Sequence, residues 1–204
     1  MDEQERRQVI ELVFGEDGLK PAIIKMFADP FMEVENDNDS PYDLDLTKFD
    51  HTTTTKWMRY FASEGLKESR KWGRDLVFFA GLYGPPAFTT KQKVLRGRDL
   101  DTSMKEEVAE FIVAWAKYLI EKEGFNVKYI SLHNEGEDQR RWTGDGWDHH
   151  SLYHHDYNMW WRNHQIVDWL KYAKNVLYHN NMLDVKLTNG ENNRWNRLND
   201  FFNW

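Results

Sequence analysis

The chain has 204 residues, a formal charge of −7 and no cysteine. That length suits one domain with a sizeable core, the acidic balance argues against a nucleic-acid partner, and disulfides and thiolate metal sites are excluded. No apolar run approaches the roughly 18 residues of a membrane span, and the start, Met1-Asp2-Glu3-Gln4-Glu5, lacks the apolar core of a signal peptide.

Helix and strand signals alternate along the chain. A helix is predicted over 3–13, closed by Gly15 and Gly18, and leads into a strand at 21–27. The acidic run over 33–45 reads as a solvated loop, with weak calcium binding as the alternative. A second helix is predicted near 54–72 and a second strand at 75–80, running into Gly84-Pro85-Pro86. The third helix shows the clearest period: Val108, Phe111, Ile112, Trp115, Tyr118 and Leu119 fall on one side. Ser103 and Glu106 are placed as its capping box and Gly124 as its stop. A strand at 127–133 follows. A fourth helix carries Ile166, Val167, Trp169, Leu170, Ala173, Val176 and Leu177, and a last strand is predicted at 183–188.

Apolar strands alternating with amphipathic helices give a parallel α/β sheet buried on both faces. Strand starts near 22, 76, 127 and 184 are 54, 51 and 57 residues apart. Eight such units need roughly 430 residues, the upper range of a (β/α)8 barrel. The expectation is therefore a partial TIM barrel of about four βα units, whose open edges favour self-association. A doubly wound nucleotide fold gains little support, because no Gly-x-Gly-x-x-Gly follows a strand.

Function in such folds gathers at the carboxyl ends of the strands. Aromatic, amide and carboxylate groups converge there: Tyr83 after the second strand, His133-Asn134-Glu135 after the third, Glu191 after the last. Rings cover the C–H faces of a sugar, and amides and carboxylates bind its hydroxyls. Glu135 is the candidate acid, since a glycosidase needs one carboxyl to protonate the leaving oxygen and a second to attack or to activate water. Asn134 beside it suits the sugar 2-hydroxyl. Trp142 and Trp147 are candidate stacking residues, while Trp160 and Trp161 are read as packing residues that begin the fourth helix. Glu191 is placed as a substrate ligand, a partner for Glu135 or a helix cap. His149, His150, His154 and His155 form a cluster in which His150 and His154 have zinc-like spacing. A metal site is the minor reading there, and no metal or cofactor is assigned.

Four stretches resemble, in order, clan A glycoside hydrolases and most of all their family 30. "VFGEDGLKPAIIKMF" is similar to the helix, glycine turn and second strand of that family, and "FFAGLYGPPAF" to its third strand and Pro-Pro-Ala-aromatic turn. "YISLHNEGE" resembles the fourth strand, whose Asn-Glu pair carries the family's acid/base; "VKLTNGENNRW" resembles the fifth. The chain departs from the family at Lys25, where Arg is usual, and at Gly136, where Pro is frequent. It also carries Leu82-Tyr83 in place of a Ser-Trp type pair.

The resemblance implies an incomplete barrel over 1–204, lacking the first and the sixth to eighth strands, and so lacking the seventh-strand nucleophile. It implies a retaining β-glycosidase acting on an oligo- or polysaccharide. Glu135 would be the acid/base, with His133, Asn134, Tyr83, Trp142, Trp147 and Glu191 around the sugar. The rivals are a carbohydrate-binding half barrel without catalysis and a metal-dependent hydrolase using the histidines.

Overall fold

The computed structural model describes residues 1–28, 35–47, 55–95, 97–136, 158–192, 194–196 and 199. Four strands form one parallel sheet in sequence order: β1 (Ile23–Ala28), β2 (Val77–Leu82), β3 (Val127–Ser131) and β4 (Lys186–Thr188). The helices between them are α1 (Glu3–Phe14), α2 (Lys56–Lys71), α3 (Lys105–Glu121) and α4 (Asn163–His179). This is the α/β architecture of a partial barrel. No described helix is long and apolar enough to cross a membrane.

Local chemistry explains the helix ends, with two corrections. α1 starts in a reciprocal capping box, Glu5 N–H donating to Asp2 Oδ1 at 2.9 Å and Asp2 N–H to Glu5 Oε2 at 2.8 Å. The box expected at Ser103 and Glu106 does not form. Asp101 takes the capping role instead, accepting from Ser103 N at 3.2 Å and Ser103 Oγ at 2.7 Å. A 3-10 turn at Thr102–Met104 then leads into α3 at Lys105. The stop at Gly124 holds, in the left-handed conformation (φ +70°). Trp160 and Trp161 precede α4 instead of opening it. Trp161 packs as expected, buried and stacked on Trp169 at 4.6 Å.

The sheet is covered by helices on one face. Met26, Ala28, Phe78, Ala80, Leu82, Ile130 and Leu132 point into a single core shared with α1 to α4 and are at most 1 % exposed. The alternate positions form the other face, which is apolar yet half open: Ile23 is 54 %, Phe27 41 % and Tyr129 38 % exposed. Burial on both faces was expected from the apolar runs. Among the described residues that second face has the composition of a barrel interior without its cover.

α3 is buried nearly all round, Val108, Phe111, Ile112 and Trp115 all being out of solvent. The same burial takes in two acids, Glu107 and Glu110. Desolvation pushes Glu107 up to about 7, helped by Asp37; it pushes Glu110 up to about 8, helped by Glu107 and Asp37. A carboxyl raised on folding favours the folded state only while protonated, so its contribution is full below the unfolded value of about 4.3 and is lost as pH rises through the folded one. In metal-free buffer, stability should fall between about pH 5 and about pH 8, and Glu110→Gln should flatten that slope. Urea unfolding across this range checks it; an unchanged slope in the variant contradicts it.

Candidate functional site

The carboxyl ends of the strands meet around one lysine. Lys25 lies in the middle of β1, on the half-open face. Its Nζ pairs with Glu191 beyond β4 and donates to Asn134 Oδ1 beyond β3 at 3.2 Å, and it stands 4.8 Å from the centre of the Tyr83 ring beyond β2. β2 lies between these partners, and Gly81 is what lets the side chain pass. A Cβ at Gly81 would stand 2.9 Å from Lys25 Cε.

Backbone hydrogen bonds continue the β3–β4 pairing past the strands. Glu191 N–H donates to His133 O at 2.9 Å and Glu135 N–H to Glu191 O at 2.7 Å, so Asn134 and Glu191 form a parallel bridge. The chain must turn there, and Glu135 does so with φ +46°, in the left-handed region that side chains other than glycine seldom adopt. Gly190 turns at φ +103° directly over the His133 ring, where a Cβ would fall 2.2 Å from Cδ2. Only glycine fits that position.

Asn134, Glu135, Gly190, Glu191, Asn192, Arg194 and Trp195 bound a cleft of about 510 Å³. Asn134 is buried, its amide donating to Asn158 Oδ1 at 3.2 Å while its oxygen receives Lys25. Glu135 is half-buried at the cleft wall. His133 is fully buried behind the wall and supports Glu191 through its carbonyl, so it stands back from the cleft. Tyr83 sits at the rim, against Lys25 and 5.3 Å from Phe27. Trp142, Trp147 and the histidines from His149 to His155 lie outside the described residues. So does Glu137.

Four participants are not singled out by the sequence. Lys25 reads only as a departure from Arg, although a charge inside the apolar run Ile23-Ile24-Lys25-Met26-Phe27 is itself a signal. Arg194 and Trp195, the latter 87 % exposed, follow Glu191 and border the cleft. Asn158 carries no local signal, because only the fold brings it to Asn134. A second cleft of about 430 Å³, bounded by Lys117, Phe125, Asn180 and Asp184, opens at the other end of the sheet. That end serves stability in barrel enzymes.

The strained φ at Glu135 yields a prediction about stability. Glu135→Gly and Glu135→Ala both remove the carboxyl, but only glycine relieves the backbone. The glycine variant should be about 0.5–1 kcal/mol more stable than the alanine one in chemical denaturation. Equal stabilities would contradict a left-handed Glu135.

No protein-family model matches the chain, and no curated protein matches it. Solved structures do. SrfJ from Salmonella typhimurium aligns over 92 % of this chain and 39 % of its own, with a TM-score of 0.63 and 17 % identity. A conserved exported protein from Bacteroides fragilis aligns over 91 % and 39 %, with a TM-score of 0.63 and 18 % identity. The glycoside hydrolase family 30 subfamily 8 xylanase Xyn30A from Clostridium acetobutylicum aligns over 87 % and 36 %, with a TM-score of 0.55 and 16 % identity. The chain thus spans about two fifths of the length of these structures and shares the fold of that part of them.

Proposed function

We propose that the chain is the second-to-fifth-strand part of a retaining β-glycosidase barrel, acting on a β-linked oligo- or polysaccharide. The observation that carries this reading is the convergence of Asn134, Glu135 and Glu191 on one cleft at the strand ends, with the exposed ring of Trp195 at its edge. The fold shared with family 30 xylanases supports it and makes xylan a first substrate to assay. Glu135 is the acid that protonates the glycosidic oxygen, then the base that activates water. Glu191, paired with Lys25, holds the neighbouring wall. Its Oε1 and Asn192 Oδ1 are shielded from solvent and accept no hydrogen bond among the described residues, which suits sugar hydroxyls as donors. Tyr83 at the rim is a further sugar contact, and Trp142 and Trp147 are proposed as stacking residues. The nucleophile comes from a strand beyond the four described.

One observation favours a second reading, carbohydrate binding without hydrolysis. The other carboxylate at the cleft, Glu191, is already engaged by Lys25.

The two readings part on one pair of variants in the native protein. Loss of general acid catalysis costs about 10²- to 10⁴-fold. Glu135→Gln should lose that much on a natural glycoside and far less on an activated aryl glycoside, whose leaving group needs little protonation. Glu137→Gln should change little. Intact turnover of the natural substrate by Glu135→Gln, or damage confined to Glu137→Gln, would refute the assignment of Glu135.

A further inference from the structure

The first turns of α3 carry a group of acids that the rim chemistry does not use. Glu107 and Glu110 stand one turn apart on the same side of the helix, 7 % and 3 % exposed. One carboxylate oxygen from each of Asp37, Glu107 and Glu110 lies within 4.8 Å of the other two. Among the described residues neither glutamate pairs with a lysine or arginine. Glu107 Oε1 and Glu110 Oε2 are out of solvent without a hydrogen-bond partner.

The loop after β1 is built around these acids. The Asn38 amide nitrogen donates to Asp37 Oδ1 at 3.0 Å, to Asp43 O at 2.9 Å and to Glu110 Oε1 at 3.3 Å. It thereby fixes one oxygen of each of two carboxylates and leaves Glu110 Oε2 and Glu107 without a donor. Tyr42 anchors the loop, stacked on His179 at 4.1 Å and accepting from Asn180 Nδ2 at 3.1 Å.

An ionised carboxylate is not held out of water without a compensating charge or donor. Here either a proton or a cation can supply the compensation. The ligand atoms are all oxygen, which selects a hard cation. Two oxygens bound to one Ca²⁺ at about 2.4 Å lie at most about 4.8 Å apart. Mg²⁺, at about 2.0–2.1 Å with strict octahedral geometry, suits a loop-and-helix site less well.

We propose that Asp37, Glu107 and Glu110 form a binding site for one divalent cation, Ca²⁺ by preference, with Asn38 as the positioning residue. The ion ties the loop after β1 to the start of α3. The fold gains a cross-link independent of the glycosidase reading.

Calorimetric titration of the chelator-treated 204-residue chain with CaCl2 and with MgCl2, paired with thermal unfolding, tests this. The expected result is one Ca²⁺ per chain with a Kd of roughly 10⁻⁴–10⁻³ M and weaker binding of Mg²⁺. Ca²⁺ at ten times its Kd should raise the Tm by about 3–5 °C. Glu107→Gln should abolish this rise. The variant removes charge repulsion at constant shape, so in chelator it should unfold no lower than the parent, which separates a lost ion from a lost fold. Absence of saturable Ca²⁺ binding at about 5 mM, or unaltered binding by Glu107→Gln, would overturn the proposal.

Discussion

The ion pair between Lys25 and Glu191 is the constraint on which the rim depends. It joins the first strand of the sheet to the segment after the fourth. Three strand spacings separate these in a flat sheet, roughly 14 Å, which a lysine and a glutamate span only when fully extended end to end. The pair closes across β2 because Gly81 leaves that strand bare where the lysine crosses it. Asn134 and Tyr83 then take their places around the same ammonium group. Glu135 is positioned at second hand, through the backbone bonds that link 133, 135 and 191.

This arrangement explains why a polar rim follows apolar strands. The face toward the helices alternates with the face toward the barrel axis, so Met26 and Ala28 enter the core while Lys25 and Phe27 do not. A lysine in the middle of a strand would be costly on the first face and is useful on the second. The left-handed turn at Glu135 has the same logic. Asn134 must stay in register with Glu191, and the next residue absorbs the bend so that its carboxyl meets the cleft. Backbone strain of this kind persists where the surrounding bonds over-determine it.

Much of this was legible in the sequence. The four strands were found in the right order because their apolar runs are spaced evenly, and Glu135 stood out because an acid at a strand end has no place in a core. Apart from one helix cap, what stayed hidden was long-range. The Ser103 box failed because Asp101, two residues earlier, offers its carboxylate to the same turn. The apolar runs suggested cover on both faces, since periodicity records an apolar face but not what lies over it. Lys25 reads in the sequence only as a departure from arginine, because Asn134 and Glu191 sit more than a hundred residues away. The burial of Glu107 and Glu110 was invisible too, because at helical spacing they look like solvated acids until the loop after β1 is laid over them.

The central claim is that the strand ends around Lys25 and Glu191 form a sugar site. Nuclear magnetic resonance titration of the labelled chain with β-linked oligosaccharides tests it most directly, since it detects even weak binding and reports its place. The expected result is saturable shifts at Asn134, Glu135, Glu191, Asn192 and Trp195, lost in Lys25→Ala while the rest of the spectrum is retained. Shifts confined to the opposite end of the sheet, or saturation unaltered by Lys25→Ala, would contradict it.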